Sequence, residues 1–524
     1  MTERLARSAG LIGLATTTSR VLGLVRDQVM AAYFGTGAAA DAFAVGTRIP
    51  TLLRDLFAEG AMSAAFVPTI TRYLKNEGKA AAWRLGSLVV NWLLLVTGAI
   101  VILGIVFAEP LAYKYAPGYT DTPEKIALTT LIARVNMPFL LLVAVAAAFM
   151  GMLNSVRRFF IPATSPAMYN VVFIISTIVF VPIFTRMGIE PVMALSAGML
   201  LGGVAQVVIQ WPALRQEGYR HQWIVDFRDP GLREMLMLMG PATLGVAAAQ
   251  INLFVSTSLA TGQDGAAAAL QYAFRLIYVP IGIVGVSVAT AAIPDLAGHA
   301  ASAAFREMRA TVSWGLRLML MLSVPAVVGM MVLARPIVEL LFEYGRFDTQ
   351  STILVAGALF FYAPGILGYS AVKILSPGFY SLQDARTPAM ISIVSILLNL
   401  VLNIWLNSTD LQFRGLALGT AVAANVNAGL LLFLLSRRLG GLDGSRVTRS
   451  LLKILIASAV MGVAAYYAET WLHRLLPDPW WLPRTIRVFG AIGIALATLA
   501  VSAAALRIEE FGQAMQRVMR KIRR

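Results

Sequence analysis

Charged side chains occur inside apolar stretches near the start of the chain, where burial would be costly. An ionised side chain at bilayer depth costs about 2.5–3.5 kcal/mol on insertion scales, so it normally faces a cavity, a partner or a functional site. Two consecutive apolar stretches hold most of these groups, which are Arg20, Arg26, Asp27, Asp41, Arg48, Arg54, Asp55 and Glu59. Later stretches add Arg275, Arg317 and Lys373.

Arginine is suited to one kind of chemistry in particular. Its planar guanidinium binds phosphate oxygens through two parallel hydrogen bonds and stays charged in a low dielectric. Arg26, Arg54 and Arg275 would bring excess positive charge together, and they predict a cargo that carries phosphate or pyrophosphate. The alternative is that these arginines pair with nearby carboxylates as buried bridges, or extend to the lipid headgroups.

The second apolar stretch, residues 41–71, is predicted to form one continuous helix. Side chains three, four or seven residues apart share a face of an α-helix. Arg48, Asp55 and Glu59 would then lie near one stripe of this helix, with Arg54 beside it.

The composition requires a lipid solvent for most of the chain. The 524 residues are 58% hydrophobic and 13% charged, whereas a soluble domain has about 45–50% apolar and about 25% charged residues.

No removable signal peptide is expected, because charges interrupt the first apolar stretch. The absence of cysteine excludes thiol chemistry, and the three histidines, His221, His299 and His473, fall in predicted connections and argue against a metal site. The net charge of +16 is scattered over connections, and it predicts contact with anionic lipid headgroups rather than with nucleic acid.

Apolar stretches bounded by charge, glycine or proline predict an all-α polytopic membrane protein with about fourteen transmembrane helices. By the positive-inside rule, the connections rich in Lys and Arg lie in the cytoplasm together with both termini. The predicted spans are 8–34, 41–71, 85–108, 125–153, 161–184, 189–211, 232–260, 266–294, 310–333, 350–380, 388–406, 414–436, 450–472 and 485–506.

Proline positions indicate an internal repeat. The spacing from Pro68 to Pro162 equals the spacing from Pro294 to Pro388. The offset along the chain between these two proline pairs maps predicted helices 1–6 onto predicted helices 7–12. The chain would then consist of two six-helix lobes of like orientation plus two C-terminal helices, and such repeats typically meet at a central substrate site.

Several longer motifs occur in order along nearly the whole chain. They are SRVLGLVRD, ADAFAVGTRIPTLLRDLFAEGAMSAAFVP, APGYTDT, NSVRRFFIPATSP and LSPGFYSLQDARTP. Together they resemble the MurJ/MviN family, the lipid II flippases of the multidrug/oligosaccharidyl-lipid/polysaccharide exporter superfamily.

The resemblance implies that the two lobes form a V-shaped cavity and that the last two helices line a groove for the undecaprenyl tail. It implies an N-lobe at 1–228, a C-lobe at 229–440, a tail groove at 441–508 and a basic cytoplasmic tail at 509–524. The implied activity is transfer of the peptidoglycan precursor lipid II from the cytoplasmic to the periplasmic leaflet of the bacterial inner membrane, by alternating access and without a cofactor. Lipid II and membrane lipids are the implied partners, cell-wall synthesis proteins are candidate partners, and the chain is expected to act as a monomer.

The family's arginines map onto residues that were already candidates by charge. The resemblance implies substrate-binding roles for Arg20, Arg26, Arg54 and Arg275. Acidic companions with cavity or gating roles are implied at Asp27, Asp41 and Glu59, and Arg48 and Asp55 from the same apolar stretch complete that group. This chain has Thr51 where relatives often carry Asn and Tyr278 where some carry Glu, so no ion-coupling site is transferred to it.

Other functions remain open on the residues alone. A related exporter of another polyprenyl-linked oligosaccharide fits the charge equally well, whereas a drug exporter would favour acids and aromatics in its cavity. A membrane transferase or hydrolase would need an intramembrane His or paired carboxylates, and the sequence has no P-loop motif for an ATPase. A scaffold for cell-wall assembly would tolerate the loss of the buried arginines.

Overall fold

The computed structural model of the protein describes residues 2–55, 61–477 and 480–512, and in these ranges it consists of helices and their connections, without a β-strand. The predicted all-α class is therefore confirmed. The chain divides into two compact units, Met1–Ala268 with Tyr344–Arg346, and Ala269–Glu343 with Phe347–Arg524. The finer division into two lobes, a tail groove and a basic tail stays a prediction.

The first unit contains the helices up to residue 260 and the start of the next one. Proline or glycine lies at many of the ends, where a missing N–H or a positive φ is tolerated. Its helices are α1 (Thr2–Phe34), α2 (Ala38–Gly46), α3 (Arg48–Arg54), α4 (Ala61–Asn76), α5 (Gly78–Val106), α6 (Ala108–Tyr115), α7 (Pro123–Asn136), α8 (Phe139–Ser155), α9 (Phe160–Met187), α10 (Met193–Gln216) and α11 (Pro230–Ala260).

The second unit contains the remaining helices. A π-helical turn, Ile281–Gly285, follows directly after Pro280 at the end of the first of them. The helices are α12 (Ala266–Pro280), α13 (Val286–Ala301), α14 (Phe305–Val332), α15 (Ala334–Phe342), α16 (Thr349–Tyr362), α17 (Gly365–Ser381), α18 (Arg386–Asn407), α19 (Phe413–Leu439), α20 (Gly444–Leu475) and α21 (Trp481–Ala505).

Most predicted spans correspond to long apolar helices. Within the described residues, 10 helices are long and apolar enough to cross a membrane, or up to 11 if α16 and α17, which meet at a 43° bend, form one span. These match the predicted spans except 8–34, 41–71 and 232–260, which are not among them. Residues 8–34 and 232–260 are helical, and the described parts of 41–71 form separate helices. The first two of these three carry the clustered charges, which lower their hydropathy. The count of fourteen stays a prediction.

The predicted continuous helix over residues 41–71 is wrong in its first half. The structure divides it at Thr47 into α2 and α3, and residues 56–60 lie outside the described ranges. Pro50 has no N–H to donate to the carbonyl of Gly46, so the regular hydrogen-bond ladder cannot continue there. Gly46 is also required for close packing, because a Cβ at this position would lie 2.8 Å from the carbonyl oxygen of Thr129 on α7.

Aromatic side chains dominate one core of the first unit. Tyr219, which follows α10, packs edge-on against Trp83 of α5 and Trp211 of α10, with ring centroids 5.8 Å and 6.1 Å away. Phe149 of α8 lies 6.2 Å from the same ring. Such pairs add about 0.5–1.5 kcal/mol each beyond the burial of their surface. The connection after α10 is thereby fixed to three helices.

Small residues let helices approach closely in the second unit. A Cβ added to Gly368 of α17 would lie 2.4 Å from the backbone carbonyl of Ala424 on α19. Close backbone approach of this kind is a main source of packing energy between helices in lipid, where hydrophobic burial contributes little.

Substituting alanine for Gly368 should therefore destabilise the second unit. We expect Gly368→Ala to cost about 1–3 kcal/mol, because the backbone of α19 would have to move. Thermal unfolding of the purified protein in detergent measures the effect. Gly429→Ala is the matched control, since nothing lies within 4 Å of a Cβ on that helical glycine. Equal melting temperatures for the two variants would contradict this account of the packing.

Candidate functional site

Arg26 of α1 forms an ion pair with the residue that follows it. Its Nη2 and Nε donate to Oδ1 of Asp27 at 2.7 Å and 3.1 Å, and its Nη1 donates to Oδ1 of Asn170 on α9 at 3.3 Å. The Asp27 side chain is 4% exposed and the Arg26 side chain 16% exposed. The pair is thus largely enclosed by protein.

Helix α9 supplies the surroundings of Arg26. The guanidinium carbon lies 5.5 Å from the ring centroid of Phe173 and 5.9 Å from that of Tyr169, within the range of cation–π attraction. Asn170 also donates to the backbone carbonyl of Ser19 at 3.1 Å, so this one side chain joins α9 to α1 at two points. Sequence reasoning missed these three residues of α9. A polar asparagine inside the apolar run PAMYNVVF was the available signal.

Arg54 at the end of α3 repeats the same arrangement. Its Nη2 and Nε donate to Oδ1 of Asp55 at 2.6 Å and 2.9 Å. The other carboxylate oxygen of Asp55 accepts from Nε2 of Gln250 on α11 at 3.0 Å. The side chains of Arg54 and Asp55 are 29% and 16% exposed. Gln250 was not among the sequence candidates.

Asp41 lies in a different environment, in the first turn of α2, and faces the start of α7. Its carboxylate is fully enclosed, with 0% exposure, and accepts from Nζ of Lys125 at 3.0 Å. It also accepts from the backbone N–H groups of Gly265 at 2.8 Å and Ala268 at 3.0 Å, at the first turn of α12. Lys125 bonds in addition to Asp264 at 2.7 Å and lies 3.9 Å from the ring centroid of Tyr119.

This bridge has a structural consequence. The unpaired N–H groups of a helix start carry partial positive charge, and a carboxylate stabilises them. Asp41 therefore compensates Lys125 and the start of α12 at the same time. Its predicted cavity or gating role stays a prediction.

The other predicted residues are less enclosed. Arg20 on α1 and Arg275 on α12 are exposed, and Arg48 on α3 is half-buried. Arg20, Arg26 and Arg54 belong to the first unit, whereas Arg275 belongs to the second. Glu59 lies outside the described residues, so the predicted stripe that includes it is not described.

Two of the other intramembrane candidates have their own explanations. Arg317 of α14 is 8% exposed and pairs with Glu510 at 2.6 Å and Glu509 at 3.3 Å, which follow α21. This pairing fits a structural bridge. Lys373 of α17 is exposed.

The histidine placement differs from the sequence expectation. His221 lies in a connection, but His299 and His473 lie in the last turns of α13 and α20. Helix-forming residues around them extend both helices beyond the predicted ends. Among the described residues, no group of three or more His, Asp or Glu side chains could hold a metal ion.

Comparison with known proteins gives the relationship directly. A family model described as "Lipid II flippase MurJ" matches residues 30–477. The probable lipid II flippase MurJ of Rhizobium meliloti (strain 1021) is 33% identical over 505 residues, which cover 95% of this chain and 92% of that protein. The lipid II flippase MurJ of Burkholderia cenocepacia is 34% identical over 434 residues, covering 81% and 82% of the two chains.

Solved structures share the fold. A lipid II flippase MurJ in an inward closed conformation aligns with a TM-score of 0.78 and 25% identity, covering 95% of this chain and 99% of that one. An inward-facing multidrug resistance transporter of the MATE family and MOP superfamily aligns with a TM-score of 0.65 at 18% identity, over 82% and 96% of the chains. The second likeness concerns the fold alone.

The helical spans and these matches define a polytopic inner-membrane transporter of the fold shared with the MOP superfamily. Arg26 and Arg54 are held by carboxylates, and an amide side chain hydrogen-bonds to each of the two pairs. The chain belongs to the MurJ family of lipid II flippases.

Removing the Asp41 carboxylate should destabilise the first unit. We expect Asp41→Ala to cost about 3–5 kcal/mol, because it leaves the Lys125 ammonium and the start of α12 without their buried partner. Thermal unfolding in detergent measures the loss. Asp264→Asn is the control, since the Asp264 side chain is 96% exposed and a partner in water contributes only about 0–1 kcal/mol. Unchanged stability of Asp41→Ala would show that the contact of Asp41 with Lys125 and the start of α12 does not stabilise the first unit.

Proposed function

We propose that this protein transfers lipid II from the cytoplasmic to the periplasmic leaflet by alternating access, and that its arginines hold the diphosphate of the cargo. The family assignment supports the cargo. The observation that carries the chemical part is the enclosed guanidinium of Arg26, 16% exposed, inside a helix of a membrane protein. An arginine in this position is costly unless it has a function or a permanent partner.

In the proposal, Asp27 and the phosphate are alternative partners of Arg26. In the empty carrier the carboxylate oxygen of Asp27 accepts two N–H bonds from the guanidinium fork, as a phosphate oxygen would. Binding of a diphosphate exchanges one anion for another. The guanidinium is therefore never left uncompensated in a low dielectric, which would cost several kcal/mol by order of magnitude.

Arg54 with Asp55 would work in the same way, and Arg20 and Arg275 would add positive charge. Both of the latter are exposed, so their interaction with the cargo requires less desolvation. We assign diphosphate binding to these four arginines, and cavity or gating roles to Asp27, Asp41, Arg48, Asp55 and Glu59.

The lipid tail has a separate requirement. The undecaprenyl chain can stay in hydrocarbon while only the headgroup crosses. Helices α20 and α21 pack on each other through small buried residues such as Ala465 and Ala491, and they expose large apolar ones such as Val463 and Phe489. This apolar surface supports a role for residues 441–508 in accommodating the tail.

Alternating access sets a thermodynamic condition on the site. A cargo shifts a conformational equilibrium only by the difference between its affinities for the two states. We propose that the diphosphate is held more tightly while the carrier is closed to the cytoplasm, and that separation of its arginine contacts releases it outside. Both termini lie in the cytoplasm in this proposal, because the connections rich in Lys and Arg alternate along the chain.

Loss of the Arg26 fork should reduce transport, which is compared at matched levels of folded, membrane-inserted protein. We expect Arg26→Ala and Arg275→Ala to reduce delivery of lipid II to the outer leaflet about tenfold or more, since a charge-assisted hydrogen bond contributes about 1.5–3 kcal/mol. Arg26→Lys should also fail, because an ammonium cannot reproduce the two-pronged contact. The measurement is the surface accessibility of lipid II in cells depleted of the wild-type protein.

The control for this experiment is Arg186→Ala, an exposed arginine in the last turn of α9. It removes the same charge away from the proposed site and should leave delivery unchanged. Normal lipid II accessibility with Arg26→Ala at wild-type protein levels would refute the role of the arginine. Restored accessibility of a different polyprenyl-linked glycan, with lipid II unaffected, would instead favour a related exporter.

A further inference from the structure

The connection between α10 and α11 has an unusual surface. Residues 219–226 are not helical, a turn follows at Phe227 and Arg228, and three large apolar side chains project from this connection. Trp223 is 81% exposed, Val225 57% and Phe227 55%. Ile224 and Asp226, which alternate with these residues along the chain, are less exposed. The three exposed side chains are defined here as the apolar ridge, Trp223, Val225 and Phe227.

The segment is held rigidly at its start. The indole of Trp83 donates to the backbone carbonyl of Glu217 at 3.2 Å. Lys79 and Arg158 hydrogen-bond the Glu217 carboxylate, and these two bonds lower the pKa of that group below its ordinary value. Tyr219, 1% exposed, then fixes the chain in the aromatic core.

The middle of the segment lies against a membrane-spanning helix. Nδ2 of Asn91 on α5 donates to the backbone carbonyls of Gln222 and Ile224, both at 2.8 Å. Ser87, one turn earlier on α5, accepts from the N–H of Gln222 at 3.2 Å. Non-helical backbone at membrane depth needs such partners, because lipid provides none.

The position of Asn91 along α5 indicates how deep the segment lies in the membrane. Arg84 is the last charged residue of α5, and the helix is uncharged from there to its end at Val106. Asn91 lies two turns further on, about 10 Å along the axis. The chain returns at Asp226 and Asp229, whose carboxylates lie 3.8 Å and 2.9 Å from Arg84. The segment therefore dips from the level of the last charge toward the apolar part of the helix and comes back.

The charges around the ridge are those expected next to anionic lipid headgroups. Arg215, Arg220 and Arg228 are exposed and flank the segment on both sides. Tryptophan and arginine together favour the boundary between headgroups and hydrocarbon, where the ring enters the acyl region and the cation meets lipid phosphate.

We propose that the ridge Trp223–Val225–Phe227 is inserted in the lipid leaflet on its side of the membrane, with Arg220 and Arg228 bound to anionic headgroups. It anchors the first unit through a non-helical segment. The apolar ridge requires burial, the depth set by Asn91 places it in lipid, and the arginines select anionic lipids. The inference is independent of the proposed cargo and of the proposed orientation.

A single-cysteine reporter tests the insertion, because the chain contains no cysteine of its own. Trp223→Cys carries a nitroxide in full-length protein reconstituted in vesicles of phosphatidylethanolamine and phosphatidylglycerol. Collisions with oxygen, which concentrates in lipid, are compared with collisions with a water-soluble nickel chelate. Ile102→Cys, at a 64% exposed position of α5, is the lipid reference, and Asp121→Cys, in an exposed connection, is the water reference.

We expect the label at position 223 to match the lipid reference, with oxygen collisions dominating. Dominance of nickel collisions, as at position 121, would overturn the proposal, since the ridge would then face water. A second arm uses Arg220→Gln with Arg228→Gln and measures melting temperature against the phosphatidylglycerol fraction. We expect the melting temperature of wild type to rise with the phosphatidylglycerol fraction and that of the double variant to rise less. An equal rise in both proteins, or none in wild type, refutes anionic headgroup binding. Transport of lipid II should remain in all variants.

Discussion

Charge compensation within the chain is the constraint on which the rest of this structure depends. A lipid solvent offers no partner to an ionised side chain, so the protein has to supply one. Arg26 and Arg54 are compensated by the carboxylate of the next residue on the same segment. Because both partners of each pair belong to one element, that element can move without leaving a charge unpaired. Asp41 is compensated differently, by Lys125 and the start of α12, so this contact restrains several helices at once.

Hydropathy explains why so much of the fold could be predicted. A span needs about 20 apolar residues, and stretches such as Gly78–Val106 and Phe160–Met187 meet that condition without any tertiary information. The prediction of one helix over residues 41–71 failed because helix formation along this stretch competes with the effect of a single proline. Residues 41–71 are helix-forming overall, but Pro50 deprives Gly46 of its hydrogen-bond donor and divides the helix. Hydropathy averaged over a window does not register a single missing N–H donor. The position of the break could therefore be predicted only from the proline itself.

The candidate site was predictable in its charges but not in its partners. Arg26, Asp27, Arg54 and Asp55 are conspicuous because an ionised group is rare in an apolar run. The side chains that complete the two pairs, Asn170 and Gln250, are 144 and 195 residues away along the chain. No periodicity connects such positions, because the contact arises from the packing of α9 on α1 and of α11 on α3. The aromatic rings beside Arg26 are likewise ordinary apolar residues until the helices are assembled.

A neighbouring carboxylate also makes an arginine better suited to a reversible role. An uncompensated guanidinium would bind a diphosphate tightly but would make the empty carrier unstable, and the carrier has to pass through its empty state in every cycle. Pairing with Asp27 lowers the free energy of the empty state, so the net affinity for the anion becomes the difference between two similar interactions. Such a difference is small enough for release and still specific, because only an anion that accepts the same fork can take the place of the carboxylate. The pairing at Arg26 and Arg54 is therefore compatible with the proposed transport of a phosphate-bearing cargo. In that proposal, transport requires conformations in which the aspartate separates from the arginine.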